Sequence, residues 1–257
     1  MEQETICMLM KAGGRPGFYY KNLETGAVES FNGDDEFQAA SVIKLPILAA
    51  VMYVEREEPG TLSRRVTIAE KHKVPGCGAI QHITGENSYD LDSLCRLMIT
   101  ISDNTATNAI IRCFGIDRLN EIFRLLGMRA TRLSRMLFDA EASRRGLENM
   151  FTPHEIASLL ERIYDGSCVG REQSEFMLDL LLRQQINHKI PGYLPSSIKV
   201  AHKTGEDDGI ANDAGIVFTK SPFVIVFASN GTNVPAFERA IRELSLEYAR
   251  RAEESFL

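Results

Sequence analysis

The feature that most constrains the fold of this chain is a run of ten apolar or aromatic residues at positions 45–54. The run is too continuous for a helix with one solvent-exposed face and too short to cross a bilayer. We therefore expect a helix that is buried on nearly all sides inside a protein core. A chain of 257 residues, of which 44% are hydrophobic, is long enough to build such a core.

Ser41 and Lys44 lie directly before this run, and on a helix their spacing places both side chains on one face. A serine at a helix N-terminus lies where the macrodipole favours developing negative charge. An ammonium with an apolar core behind it has a lowered pKa, so a neutral lysine becomes available as a base. The pair predicts an activated serine nucleophile, although an S-x-x-K pattern is common by chance and needs support from other motifs.

The charge of the chain limits its partners. The formal net charge is −6 at pH 7, which argues against nucleic acid and anionic membrane surfaces. The first residues are acidic, and the apolar run of five that follows fits neither a signal peptide nor a membrane anchor. We expect a cytoplasmic monomer that acts on a small molecule. An exported mature form with a new initiator methionine is the alternative for its location.

The cysteine and histidine patterns predict no metal centre and no cofactor. The five cysteines are an odd number without a C-x-x-C pair, which favours free thiols in a reducing compartment. The five histidines show neither H-x-x-x-H spacing nor a close carboxylate in the sequence.

Predicted strands occur at both ends of the chain, with helices between them. The strands are predicted at residues 5–9, 18–21, 28–31, 198–204, 212–218 and 223–229. The later helices are predicted at residues 90–101, 104–114, 117–126, 153–164 and 171–184, and from about 235 onward. The simplest arrangement is an α+β fold in which one antiparallel sheet is built from both ends and a helical lobe is inserted.

Two triplets accompany the serine and lysine. Ser102-Asp103-Asn104 lies in the break between two predicted helices, and Lys203-Thr204-Gly205 ends a predicted strand. With S-x-x-K, and in this order, they form the motif set of class A β-lactamases and penicillin-binding proteins. The chain resembles that superfamily over nearly its whole length, from the first strands to the last helix.

The resemblance implies a fold that agrees with the element order. It consists of a five-stranded antiparallel sheet flanked by helices and an all-helical lobe, with the site between them. Within one catalytic domain, we assign the sheet lobe to about residues 1–35 and 190–257 and the helical lobe to about residues 36–189.

The resemblance also implies roles for the first two motifs. Ser41 would be the acylated nucleophile and Lys44 its proton acceptor. Ser102 would pass the proton to the leaving nitrogen of the substrate. Asn104 would hold a substrate amide.

The third motif would bind the substrate from the strand side. Lys203 and Thr204 would face a substrate carboxylate, and Gly205 would keep the strand clear for the substrate backbone. The backbone N–H groups of Ser41 and Glu206 would form an oxyanion hole.

The chain departs from the family at the base for deacylation. The segment that starts at Thr131 resembles the beginning of the family's Ω loop, whose glutamate lies two residues past an arginine, and that place is Leu137 here. Leucine cannot accept a proton from the deacylating water. Asp139 or Glu141 could replace it because the loop is shorter here, although solvated carboxylates are the simpler interpretation of both.

Two further departures concern charge. Asn149 stands where the family's aspartate pairs with the loop arginine, so this charged clamp is weakened or shifted to Glu148. Three acids at residues 206–208 disfavour an anionic substrate, unless they point to solvent from a tight turn. The position of the carboxylate-binding arginine of many relatives corresponds to Ala211.

Three functions remain open at this stage. The first is a serine hydrolase that opens a β-lactam through an acyl-enzyme, with deacylation in doubt because of Leu137. The second is an esterase or D-alanyl peptidase-like hydrolase in which Lys44 serves both steps. The third is a trap or sensor for penicillins that is acylated and stays so.

Overall fold

The computed structural model describes residues 2–254. Its helices are α1 (Glu2–Met10), α2 (Lys44–Glu57), α3 (Leu91–Thr100), α4 (Asn104–Phe114), α5 (Ile116–Leu125), α6 (Ala140–Arg144), α7 (Pro153–Asp165), α8 (Arg171–Leu182) and α9 (Val234–Glu254). Its strands are β1 (Arg15–Asn22), β2 (Val28–Phe31), β3 (Phe37–Gln38), β4 (Arg65–Ile68), β5 (Asn87–Asp90), β6 (Met150–Phe151), β7 (Lys199–Asp207), β8 (Ile210–Phe218) and β9 (Phe223–Asn230).

The main sheet is five-stranded and antiparallel, as predicted, with strand order β2-β1-β9-β8-β7. The N-terminal and C-terminal parts of the chain meet between β1 and β9, where Arg15 lies opposite Asn230 and Asn22 opposite Phe223. Strand β7 forms one edge of the sheet. The fold is therefore the α+β arrangement expected from the order of the elements.

Alternating side chains of the sheet divide the apolar residues into two cores. In β9, Val224 and Val226 belong to the core shared with α2, α7 and α8, whereas Phe223 and Ile225 belong to the core shared with α9. This alternation follows from the two-residue period of a strand. The sheet is thus covered on both faces.

The predicted strand at residues 5–9 is wrong, because this segment belongs to α1. Thr5 and Leu9 are both buried, and their spacing of four residues places them on one face of a helix. Leu9 joins the core beneath α9, and the Thr5 hydroxyl lies 3.2 Å from the Tyr248 hydroxyl. Packing against α9 therefore decides the structure of this short segment.

The apolar run forms most of α2, whose interior is buried as predicted. Residues from Leu45 to Met52 and Val54 are buried. Helices α3, α5, α7 and α8 surround α2. Among residues 2–254, none of the helices combines the length and the apolar character needed to cross a membrane.

The other predicted helices agree with the structure to within two residues at most ends. Asp90 caps α3 by accepting from the Ser93 N–H, and Asp103 caps α4 by accepting from the Ala106 N–H. Pro153 opens α7, as expected for a proline in the first turn of a helix. These caps fix where α4 begins and therefore where the Ser102 break lies.

The long segment between α5 and α7 is closed at its base by backbone pairing. Arg132 and Met150 exchange two backbone hydrogen bonds of 2.9 and 3.0 Å, and β3 pairs with β6 beside them. Within the segment lies the short helix α6. We call residues 131–152 the Ω segment.

Candidate active site

The site is a cleft of about 620 Å³ between β7, the turn before α2, the start of α4 and the Ω segment. Ser41 lines it from a 3₁₀ turn, Ala40–Ile43, that leads directly into α2. Ala40 adopts a positive φ of 43°, which is unfavourable for a residue with a Cβ atom. This strained residue turns the chain so that the next hydroxyl faces the cleft.

Lys44 connects three of the predicted site residues. Its Nζ atom lies 2.8 Å from Ser41 Oγ, 2.9 Å from Ser102 Oγ and 2.8 Å from Asn104 Oδ1. It also lies 2.8 Å from the Ser102 carbonyl oxygen. The side chain is fully buried, so these contacts replace the water that an exposed amine would bind.

The surroundings of Lys44 favour its neutral form. Burial lowers the pKa of this ammonium well below its usual range, and the charge of Lys203 lowers it further. A neutral amine next to Ser41 Oγ can accept the hydroxyl proton when the serine attacks a carbonyl carbon. The position of Lys44 next to Ser41 Oγ and its lowered pKa therefore both suit a base.

Ser102 lies between the two lysines. Its φ of 56° is in the left-handed region, and its side chain is buried. This backbone conformation, between α3 and α4, aims the hydroxyl at Lys44 on one side and at Lys203, 3.1 Å away, on the other. A continuous path of polar atoms thus runs from Ser41 through Lys44 and Ser102 to Lys203.

Lys203 is held at the edge strand β7. Its Nζ atom donates to the Thr204 carbonyl oxygen at 2.9 Å as well as contacting Ser102. Burial lowers the pKa of Lys203 to about 7, with Asp213 opposing this shift and Lys189 adding to it. Its charge therefore changes close to neutral pH.

Asp103 and Asn104 attach the loop at residues 74–80 to the site. The Asp103 carboxylate accepts from the Ala79 and Ile80 N–H groups at 2.7 and 2.9 Å. The Asn104 side chain donates to the Pro75 carbonyl oxygen at 3.0 Å. Because its oxygen also contacts Lys44, Asn104 has a fixed orientation in the cleft.

Gly205 allows β7 to lie directly against the 3₁₀ turn Ala40–Ile43, which we call the nucleophile turn because it carries the predicted nucleophile Ser41. A Cβ atom at this position would lie 2.9 Å from the Ala39 oxygen and 3.1 Å from the Ser41 nitrogen. From the sequence we expected Gly205 to leave space for the substrate backbone. In the structure, the atoms that a side chain at this position would meet belong to the protein itself. The glycine therefore positions the Ser41 N–H.

The N–H of Glu206 points off the free edge of the sheet. Glu206 lies opposite Ala211, whose own N–H donates to Ser229 Oγ of β9 at 2.8 Å instead of to β7. The pair is therefore a non-hydrogen-bonded one, in which both N–H groups point away from the partner strand. Because β7 is an edge strand, the Glu206 N–H faces away from the other strands of the sheet.

Leu137 lines the cleft and is held by Asn108. The Asn108 side chain accepts from the Leu137 N–H and donates to the Leu137 carbonyl oxygen, both at 2.9 Å. Asn108 is buried one helical turn after Asn104. Sequence reasoning missed Asn108, although its i+4 spacing from Asn104 places it on the same face of α4.

The two candidate replacement bases differ in position. Asp139 lines the cleft and caps α6 by accepting from the Ala142 N–H at 2.9 Å. Glu141 is exposed on α6 and is not among the described residues that line the cleft. Of the two carboxylates, the structure therefore brings only Asp139 to the site.

The charged clamp of the Ω segment is shifted to Glu148, one of the two arrangements that the sequence left open. Arg135 donates to Glu148 through Nε at 3.0 Å and Nη2 at 2.7 Å, and both side chains are largely buried. Asn149 contributes by accepting from the Ser134 and Arg135 N–H groups at 2.7 and 3.0 Å. The Asn149 amide and the Glu148 carboxylate therefore both hold the Ω segment in place.

Glu206 is neutralised by a lysine that sequence reasoning missed. The fully buried Lys189 ammonium contacts the Glu206 carboxylate and lies 4.0 Å from Glu238. His188 completes this cluster, in which the fold brings a histidine to carboxylates distant in sequence. Lys189 therefore offsets the charge of Glu206, whereas Asp207 and Asp208 are exposed beside it.

Acids outnumber bases among the described residues that line the cleft. The lining carries one arginine, Arg135, and four acids, namely Asp139, Glu148, Glu206 and Asp207. Ala211 is buried and its N–H is used within the sheet, so no side chain there reaches a substrate. Ala211 therefore cannot replace the carboxylate-binding arginine of many relatives, and the described cleft lining carries more negative than positive side chains.

Comparison with known proteins identifies the family of this chain. The model of the Beta-lactamase enzyme family matches residues 2–251. Beta-lactamase ROB-1 of Haemophilus influenzae is 27% identical over 235 residues, which cover 90% of this chain and 76% of that protein.

Solved structures show the same likeness in three dimensions. A beta-lactamase from Sphaerobacter thermophilus covers 100% of this chain and 98% of its own, with 29% identity and a TM-score of 0.87. PBP-A covers 98% of this chain and 96% of its own, with 31% identity and a TM-score of 0.89. A leucine-to-glutamate mutant of PBP-A was solved as an acyl-enzyme complex with penicillin G. The chain belongs to the beta-lactamase enzyme family and is a class A β-lactamase-like serine hydrolase.

Proposed function

We propose that Ser41 is acylated by a β-lactam or a related amide or ester, and that release of the acyl group by water is the slow step. The observation that carries the proposal is the position of Lys44 Nζ, 2.8 Å from Ser41 Oγ in a fully buried setting. A neutral amine at this distance accepts the hydroxyl proton as the oxygen attacks the carbonyl carbon.

The negative charge that forms on the carbonyl oxygen needs donors. The N–H groups of Ser41 and Glu206 support this role, because Gly205 brings the β7 edge against the nucleophile turn. Loss of one such donor costs about 10²–10³ in rate. When the intermediate collapses, the carbon–nitrogen bond breaks and the ester to Ser41 remains.

The leaving nitrogen takes a proton in this step. Ser102 supports the transfer because its hydroxyl contacts both lysines, at 2.9 Å from Lys44 and 3.1 Å from Lys203. Ser102 gives its proton to the nitrogen and takes the one that Lys44 received from Ser41. The lysine returns to its neutral form, and protons are balanced.

Binding in the cleft follows from the remaining polar groups. Asn104, which is fixed by Lys44 and Pro75, holds a substrate amide. Lys203 and Thr204 face a substrate carboxylate at the edge of the sheet. Asp139 and Asp207, which also line the cleft, reduce their attraction for an anion.

Slow hydrolysis follows from Leu137. This side chain lines the cleft where a base for the deacylating water is expected, and it has no atom that accepts a proton. Asp139 is the nearby carboxylate of the lining, but one of its oxygens is engaged as the cap of α6. The same feature favours the alternative of an esterase or D-alanyl peptidase-like hydrolase, in which Lys44 serves both steps.

Intact mass after exposure to penicillin G separates these outcomes. We expect an adduct equal to one added penicillin on the wild type and on Ser196→Ala, a control at an exposed serine. No adduct should form on Ser41→Ala. Absence of an adduct on the wild type, together with no turnover of a chromogenic cephalosporin at high enzyme concentration, would refute the β-lactam proposal.

The lifetime of the adduct then identifies the function. A mass that returns to the free value within minutes indicates hydrolysis, and an adduct that persists for hours indicates a trap or sensor. Hydrolysis of a small ester or a D-Ala-D-Ala peptide, lost in Ser41→Ala, would support the alternative.

A further inference from the structure

Phe138 has an unusual position for a large apolar residue. Its side chain is 53% exposed, and it lines the cleft instead of joining the core. Its φ of 62° lies in the left-handed region, where a residue with a Cβ atom is destabilised by about 1–2 kcal/mol. A phenylalanine that is both strained and exposed adds little to folding, and such strain is concentrated at functional sites.

The backbone on both sides of Phe138 is fixed, so the direction of its Cα–Cβ bond is also fixed. Asn108 holds the preceding residue through two hydrogen bonds. On the other side, the Ala140 N–H donates to the Phe138 carbonyl oxygen at 3.1 Å, and Asp139 caps α6. The side chain therefore starts from a fixed point on the wall of the cleft.

The ring extends from the Ω segment to the opposite wall of the cleft. A Cβ atom on Gly76 would lie 2.9 Å from the Phe138 Cζ atom and 2.8 Å from the Asn104 Nδ2 atom. Gly76, with a φ of 87°, thus leaves room for the ring beside the Asn104 amide. An aromatic face and an amide that can bind a substrate amide are neighbours here.

We propose that Phe138 is a specificity-determining residue that receives the apolar group attached to the substrate amide, with a preference for an aromatic group. The inference rests on the proposed function, because Asn104 can place that group beside the ring only if it holds the substrate amide. Two aromatic rings in contact attract each other beyond the burial of their area. The chemical class of the substrate is therefore an acylated amide or lactam with an arylacetyl-type side chain.

Two penicillins that differ in one group test this preference. Benzylpenicillin carries a phenylacetyl group, and its analogue carries acetyl in the same place. We measure the second-order rate constant of acylation for both, by intact mass, on the wild type, Phe138→Ala and Phe138→Gly. Leu147→Ala is the control, since Leu147 is an exposed apolar residue of the Ω segment outside the described cleft lining.

We expect the wild type and the control to prefer benzylpenicillin by about tenfold. Both Phe138 variants should bring this ratio close to one, with the rate for the acetyl analogue changed by less than about twofold. Phe138→Gly also removes the backbone strain, so its melting temperature should exceed that of Phe138→Ala. An unchanged rate for the acetyl analogue in both variants excludes misfolding as the cause of a lost preference.

An unchanged ratio in both variants, or equal rates in the wild type, would overturn the inference and leave the proposed function intact. A wild type that neither penicillin acylates would overturn the proposed function, and this inference with it.

Discussion

Replacing Gly205 by alanine tests the contact between β7 and the nucleophile turn. The new Cβ atom would lie 2.9 Å from the Ala39 oxygen and 3.1 Å from the nitrogens of both Ser41 and Val42. These distances are below the 3.4 Å of an ordinary contact by about 0.3–0.5 Å. All three neighbours are backbone atoms, so no flexible side chain can move aside.

The size of the destabilisation depends on the backbone atoms that must move to make room for the new Cβ atom. Overpacking of this size destabilises a protein by about 1–3 kcal/mol, and 2 kcal/mol lowers the melting temperature of a domain this large by about 4–8 °C. Separation of β7 from the turn also displaces the two proposed oxyanion donors from each other. The loss of one donor corresponds to a fall in the acylation rate of about 10²–10³.

The assay combines thermal unfolding with the rate of acylation by penicillin G. Gly192→Ala is the matched control, because its new Cβ atom would meet the flexible Arg242 side chain, 2.7 Å away, and Gly192 is not among the described residues that line the cleft. That variant should acylate at the wild-type rate. If Gly205→Ala melts and acylates like the wild type, the packing of β7 on the nucleophile turn and the oxyanion assignment are both refuted.

Leu137→Glu places a carboxylate in the cleft and should shorten the lifetime of the acyl-enzyme by about 10²–10⁴, whereas Leu137→Gln, which has no base, should not. Time-resolved mass measurement decides this, and equal lifetimes would contradict it. Asn108→Ala leaves two backbone groups of Leu137 without partners, so we expect a loss of about 1–3 kcal/mol in the free energy of unfolding. A denaturant titration that shows no loss would be inconsistent with this. The pKa of Lys203 is about 7, so the ammonium loses its charge as pH rises through 7, and kcat/KM for an anionic β-lactam should fall there. Lys203→Arg keeps the charge and should abolish that fall, and persistence of the fall would assign it to another group.

The helices could be predicted because their signals are local. The apolar run of α2, the Asp90 cap of α3 and the proline at the start of α7 each act within one or two turns of helix. The central strands of the main sheet could be predicted as short runs of mostly apolar residues, because both faces of the sheet are covered by different cores. The positions of Ser41, Lys44 and Ser102 in one network agree with the order and spacing of their motifs.

The features that escaped prediction depend on distant partners. The structure of α1 is decided by packing on α9, since Thr5 reaches Tyr248, 243 positions away. Lys189 meets Glu206 only because the chain turns at Ile190–Tyr193 and returns as β7. The left-handed backbone of Phe138 contradicts its own local preference, and a hydrogen-bonded frame on both sides imposes it.

The pairing of β1 with β9 has a consequence for synthesis on the ribosome. Ser41 and Lys44 emerge long before residues 199–230, which complete the sheet and carry Lys203. Such long-range pairing slows folding, because a large loop must close before the contacts form. We therefore expect a nascent chain to lack the complete network of Ser41, Lys44, Ser102 and Lys203 until residues 199–230 have been translated, so that this network forms late in folding.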